Sequence, residues 1–177
     1  MSDLQIGRPD NSELAPHAIA YFKLVEEDDV LTALRKQIAQ TIALLKPLED
    51  ERASNFRFAP GKWTVKEVVG HLSDVERILS SRALRIARGD ETPLPGFEQD
   101  DYVRTAGSND RKLDDLLDEL QVVRDSSLAL FRSLPHPAWL RRGRVSEWNL
   151  TVRGIAFTLA GHELHHFKIL RERYLTP

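Results

Sequence analysis

The chain has 177 residues, 41% of them hydrophobic, with a formal net charge of −2 and an isoelectric point near 6.3. That length suffices for one domain with a full core, and the nearly balanced charge gives no electrostatic reason to expect nucleic acid as a partner. The absence of cysteine excludes disulfides, thiolate metal sites and a cysteine nucleophile. The N-terminus lacks the basic-then-apolar order of a signal segment and no apolar run reaches membrane-spanning length, so a cytoplasmic protein without a membrane partner is expected.

Residues 1–27, punctuated by Pro, Asp and Glu, predict an N-terminal arm with about one helical turn, packed on the domain formed by residues 28–177. From Asp28 or Asp29 the pattern turns helical: Leu31, Leu34, Ile38, Ile42 and Leu45 form a stripe that ends near Pro47. A turn-rich stretch leads through Pro60-Gly61-Lys62-Trp63 to the second predicted helix, where Thr64-Val65-Lys66-Glu67 has the form of a capping box. Gly89 stops that helix after about Arg88. Residues 89–110, with Pro93, Pro95, Gly96 and Gly107, predict an irregular connection, either functional or crossing the bundle. The third helix is predicted from about Arg111 to Ser133, with Leu113, Leu116, Leu117, Leu120, Val123, Leu130 and Phe131 on its apolar side. Arg141-Arg142-Gly143-Arg144, followed by Glu147, reads as a solvated loop. The fourth helix is predicted from about Thr151 to Tyr174. No strand pattern competes with these four segments, so the expected fold is all-α, a four-helix bundle.

The fourth helix carries the chemistry. Val152, Ile155, Leu159, His162, His166 and Leu170 step by three or four residues, so two histidines fall on the buried stripe one turn apart. An imidazole without a partner is costly in an apolar core, and the i, i+4 pair is the spacing that lets one helix face grip a metal ion. In the second helix Val68, His71, Val75 and Ile78 place a third histidine on a core stripe. His71 lies seven residues after its cap Thr64, and His162 lies eleven after Thr151. At about 100° per residue the offsets differ by one turn plus roughly 40°, so the two imidazoles leave their helices on similar faces. A lone core histidine is more often hydrogen-bonded to backbone than to metal, but three on two helices point to a metal site. His165 points away from the stripe as a flanking group, and His17 and His136 sit beside prolines in loops.

His162-Glu163-Leu164-His165-His166 also satisfies H-E-x-x-H, the metalloprotease helix with Glu163 as base. Such proteases take a third ligand downstream, and only eleven residues follow His166, with Glu172 the single acid among them. The sequence resembles instead the DinB/YfiT-like superfamily of metalloenzymes. The resemblance rests on Gly61-Lys62-Trp63-Thr64-Val65-Lys66-Glu67-Val68-Val69-Gly70-His71-Leu72-Ser73-Asp74, on Leu94-Pro95-Gly96-Phe97-Glu98-Gln99-Asp100-Asp101-Tyr102-Val103, and on Leu159-Ala160-Gly161-His162-Glu163-Leu164-His165-His166, in that order. It implies a four-helix bundle of the DinB/YfiT type with a long connection between helices two and three, and a homodimer. It also implies a divalent metal on His71, His162 and His166, the triad that the helix faces give.

Three neutral imidazoles leave a dication's charge uncompensated and a position open, which lowers the pKa of a water or thiol placed there. Two reactions follow for a small-molecule substrate: transfer of a thiol to an electrophile, or hydrolysis. Family members of both kinds are implied, with Zn, Ni, Fe or Mn as candidate metals. Lacking cysteine, a thiol reaction here needs an external low-molecular-weight thiol such as bacillithiol, mycothiol or glutathione. Asp74, one turn from His71, is the candidate general base; its alternative is a surface pair with Arg77 or Lys66. Glu67 is committed to its cap, and Glu163, 100° from His162, to a bundle-lining or interface position. Phe97, Asp101 and Tyr102 are candidates to cover the site mouth. The non-enzymatic alternative is a metal-binding helical module, which a fourth protein donor would favour.

Overall fold

The structure, a computed structural model, describes residues 6–48 and 51–175. A 3-10 turn, Asn11–Glu13, and a short helix α1, Ala18–Phe22, form the arm. The long helices are α2, Val30–Leu45; α4, Val65–Ala87; α6, Leu113–Arg132; and α8, Val152–Ile169, which continues as one π-helical turn, Leu170–Tyr174. Between them lie α3, Glu51–Ser54, α5, Gln99–Thr105, and α7, His136–Trp139. No helix among the described residues is long and apolar enough to cross a membrane.

The helix starts are fixed by side chains in the sequence. Asp29 accepts from the amides of Leu31 and Thr32 ahead of α2. At α4 the capping box is complete: the Glu67 amide donates to Thr64 Oγ1 at 3.0 Å, and the Thr64 amide donates to Glu67 Oε2 at 2.7 Å. Thr151 caps α8 by accepting from the Gly154 amide at 3.0 Å.

The core consists of two apolar clusters. One holds Leu34 of α2, Val75, Leu79 and Ile86 of α4, Phe131 of α6 and Ile155 and Leu159 of α8. The other holds Ile38 and Leu45, Val65 to Leu72, Leu113 to Leu120 and Leu170. Helices α2 and α8 pass from the first cluster to the second, and α4 and α6 pass the other way, so α4 and α6 run parallel. Two parallel neighbours cannot be joined by a tight turn. Residues 88–112 make the return, passing through Asn109, whose Nδ2 donates to Glu67 Oε1 at 2.8 Å beside the start of α4. Gly70 makes room for it: a Cβ there would collide with the Ser108 hydroxyl.

A β-hairpin differs from the all-helical expectation. Strands β1, Arg142–Val145, and β2, Trp148–Thr151, pair antiparallel with Val145 opposite Trp148, where a solvated loop was expected. The strands are only four residues each, and β1 alternates exposed arginines with buried Gly143 and Val145, a pattern too short to stand out beside 20-residue helices. Gly143 is required because Ile86 occupies the space of a Cβ. Leu94 joins β1 in turn: its amide donates to Arg144 O at 2.9 Å and its carbonyl accepts from the Ser146 amide at 2.8 Å.

The arm lies along α8. Its Glu13 carboxylate accepts from Thr151 Oγ1 and Arg153 Nε, both at 2.7 Å. Two glycines of α8 allow the close approach, because a Cβ at Gly154 would strike the Glu13 carbonyl and one at Gly161 the Tyr21 carbonyl.

Candidate metal centre

His71, from α4, and His162 and His166, from α8, converge in the band between the two apolar clusters. One potential ligand nitrogen from each lies within 4.8 Å of the others. His71 Nε2 and His162 Nε2 are 3.1 Å apart. Two imidazole nitrogens on a tetrahedral ion at ~2.0–2.1 Å would stand about 3.4 Å from each other, so the donor set fits a small divalent metal with little movement. The three residues are 2%, 6% and 9% exposed, His166 being the least buried.

The rings are held by packing. Trp63, just before the α4 cap, lies 4.6 Å from the His71 ring and stacks at 6.2 Å on His166. Trp63 is itself pinned by Tyr174, whose hydroxyl donates to the Trp63 carbonyl at 2.7 Å. Tyr21 of the arm closes the other side, edge-on to His162 at 5.6 Å and 5.0 Å from His165. Burial disfavours protonation of all three imidazoles: His71 is brought down to about 4, His166 to about 3, and His162 well below the ordinary histidine value. The centre therefore presents neutral nitrogens, the form that binds metal.

Glu163 faces away from this trio into a buried ionic cluster. Its Oε1 accepts from Thr41 Oγ1 at 2.7 Å, and its Oε2 lies 2.8 Å from Arg124 Nη2. Arg124 also donates to both oxygens of Glu76, at 2.7 and 2.8 Å, and to the Leu34 carbonyl at 2.7 Å. Burial works against the guanidinium charge, and the Glu163 and Glu76 carboxylates outweigh it, so Arg124 is held protonated. The bundle-lining place expected for Glu163 is thus an ion pair that links α8 to α2, α4 and α6.

Asp74 lies 3.7 Å from Arg77, the surface pair that was its alternative to a role as base. Burial raises its carboxyl, Arg77 lowers it and Glu119 raises it again. No contact among the described residues joins it to the imidazoles. Lys66 pairs with Glu51 at 3.4 Å rather than with Asp74. In the 94–103 loop, Phe97 lies under the Arg82 guanidinium and beside Tyr102, and Asp101 pairs with Arg104 at 2.7 Å in solvent. Sequence reasoning missed Tyr21, whose one available signal was the space left by Gly161.

The model of the DinB superfamily matches residues 33–170, a span that contains all three histidines. The chain belongs to the DinB superfamily. Among solved structures, this DinB-superfamily chain is similar to YfiT from Bacillus subtilis, described as a probable metal-dependent hydrolase with an unusual four-helix bundle topology. The likeness has a TM-score of 0.67 at 19% identity and covers 93% of this chain and 91% of YfiT. It is also similar to a mycothiol-dependent maleylpyruvate isomerase, with a TM-score of 0.66 at 15% identity over 82% of this chain and 60% of the isomerase. At these identities the likeness is one of fold. No curated protein matches the sequence.

Proposed function

We propose that this chain is a metal-dependent transferase, with His71, His162 and His166 as ligands, that moves a low-molecular-weight thiol onto a small electrophile. The observation that carries the proposal is the donor set: three neutral, buried imidazoles and no carboxylate within the group of potential ligands. A divalent ion held there supplies a Lewis acid with an open position, which favours the deprotonated form of a thiol or water. The protein's own part is to hold the three rings, through Trp63 and Tyr21, and to keep them buried. Because the chain has no cysteine, the sulfur arrives with a cosubstrate. Of the candidate metals, Zn, Ni and Fe suit imidazole donors, whereas Mn favours oxygen ligands. A homodimer in the cytoplasm, acting on a small molecule, completes the proposal.

Hydrolysis by the same centre is the second reading, favoured by the full-length likeness to YfiT. A purely structural metal would want a fourth protein donor, and among the described residues the group has three. Metal analysis of the purified protein and of its His71→Ala and His166→Ala variants tests the centre: stoichiometric metal in both variants would sink it. Assays of the metal-loaded protein with bacillithiol, mycothiol or glutathione and a generic electrophile then test the reaction. Turnover of ester substrates without any thiol would favour hydrolysis instead.

A further inference from the structure

We infer that Tyr174, in the π-helical turn that ends α8, is a positioning residue of the histidine centre, acting through Trp63. The inference rests on the metal reading of that centre and adds the π-helical turn to it. A ligand imidazole is ordinarily oriented by the hydrogen bond that its second ring nitrogen gives to a carboxylate, a carbonyl or water. Among the described residues, the one hydrogen bond that reaches the rings of His71, His162 and His166 joins Nε2 of His71 to Nε2 of His162. A shared metal would take both of those nitrogens. Aromatic rings orient the ligands instead. Tyr21 reaches only His162 among the three, whereas Trp63 reaches one ligand from each helix. Its ring centroid is 4.6 Å from that of His71 on α4 and 6.2 Å from that of His166 on α8, at 17° to the latter. The place of Trp63 therefore fixes how His71 and His166 face one another.

Helix α4 does not itself hold Trp63. The Val68 amide donates to the Thr64 carbonyl, so the Trp63 carbonyl lies one residue outside that ladder. Two side chains tie the segment down. Arg57 donates to the Lys62 carbonyl at 2.9 Å and pairs with Glu67 at 3.3 Å. Tyr174 donates to the Trp63 carbonyl at 2.7 Å, across 111 positions of sequence. The Tyr174 ring is set in turn by Phe58 and Phe56, both edge-on, at 5.0 and 6.2 Å. Burial and the Glu67 carboxylate raise Tyr174 above the ordinary phenol value, with Arg57 opposing, so the hydroxyl keeps the proton that it donates.

The helix departs from α geometry where this contact requires it. Through both of its histidine ligands and on to Ile169, α8 is α-helical; Leu170–Tyr174 is π-helical, and the Leu175 amide donates to the Leu170 carbonyl, five residues back, at 3.1 Å. An unbroken α-helix would carry Tyr174 about 80° round the axis from His166. A turn closed five residues on is wider, so each residue rotates less and Tyr174 comes back toward the face that carries the imidazoles. Leu170, fully buried in the second apolar cluster, anchors the start of the turn. Single π-helical turns of this kind are rare and recur at functional sites.

The test titrates cobalt(II) alone into the metal-free purified protein, its visible band reporting the coordination geometry. Tyr174→Phe keeps the ring and deletes only the hydroxyl. It should weaken cobalt binding about 10-fold, the low end for loss of a group that orients a ligand, and should shift the band. Trp63→Ala should weaken binding further, and Trp63→Phe, which restores a ring, should recover part of that loss. Leu128→Ala, at a buried position in the other apolar cluster, is the comparison: it should lower Tm while cobalt affinity and spectrum stay those of wild type. The metal-free protein supplies a second reading by NMR. In Tyr174→Phe the ring-proton signals of His71 and His166 should move, and by more than those of His162, which packs on Tyr21. Unchanged cobalt affinity and spectrum in Tyr174→Phe, or an equal change in Leu128→Ala, overturns the assignment. If wild type takes up no cobalt, the metal reading fails and the NMR signals decide alone. Movement at His71 and His166 then keeps the positioning role, and its absence removes it.

Discussion

The Arg124 cluster and the histidine centre share the band between the two apolar cores, yet they meet burial in opposite ways. Around Arg124, a cation meets two carboxylates and a carbonyl, and the Thr41 hydroxyl donates to one of those carboxylates, all supplied by the protein. Around His71, His162 and His166, three imidazoles meet one another and aromatic rings, with no anion between them. The first cluster is complete without help from outside. The second is a set of aligned donors that a cation would complete. Glu163 and His162 are neighbours in sequence, so one helix, by turning 100°, serves both clusters. Fixing Glu163 on three other helices also fixes the rotation of the helix that carries two of the three imidazoles.

Removing Arg124 should break this contrast most severely. Arg124→Met leaves two buried carboxylates facing each other, and loss of one partner of a buried pair costs about 3–5 kcal/mol. Urea unfolding should show that loss, and replacing Glu76 and Glu163 by Gln in the same chain should recover much of it. If Arg124→Met is no less stable than wild type, the cluster does not order the bundle.

Chelation is the matching test for the other cluster. Metal present at 100 to 1,000 times its dissociation constant adds about 2.7–4.1 kcal/mol, which in a chain of this size is roughly 5–15 °C in Tm. Removal by EDTA should lower Tm by that amount in wild type and leave His71→Ala unmoved. Equal melting with and without EDTA in wild type would mean that the centre is empty in solution.

Acid should then distinguish the clusters. The folded-state values of His71 and His166 lie below the ordinary 6.5, at about 4 and about 3, because burial resists charging them. Between pH 6.5 and about 4 the unfolded chain takes up protons that the native state refuses, so metal-free stability falls as pH falls through that window. Glu13 acts lower down: burial would raise its carboxyl, but Arg153, the Asp10 amide and Thr151 hold it at about 2, so its contribution is present above 4.5 and fades toward 2. Replacing all three centre histidines by Gln should flatten the slope of unfolding free energy in the upper window and leave the lower one as it was.

The smallest effect is expected at the arm. Gly161→Ala pushes against the Tyr21 carbonyl and should cost about 1–3 kcal/mol. It should loosen the wall beside His162 without disturbing Arg124. Tyr21 ring signals shifted by NMR, with those of Leu34 and Thr41 unchanged, would show this; shifts at all of them would mean that the two clusters are not independent.

The sequence made the long helices legible because their apolar residues recur every three or four positions, and made the histidine trio legible because its members lie on those same stripes. The hairpin was hidden by its length. The pairing of Asp74 with Arg77 could be stated only as one of two options, since a carboxylate one turn from His71 is near it in sequence whichever way its side chain turns. Tyr21 and Arg124 were hidden for another reason: each acts on residues far along the chain, and no local pattern records such a contact. Gly154 and Gly161 are the one trace that the arm's docking leaves in α8.

The arm's anchors also set an order of assembly. Glu13 and Arg153 are 140 positions apart, so their pairing closes a long loop, and such contacts are slow to form. During synthesis the arm has nothing to dock on until α8 follows it. A nascent chain that ends before residue 152 offers one of the three imidazoles and none of the glycine seats for the arm. The centre is therefore completed only when segments some 140 positions apart have come together.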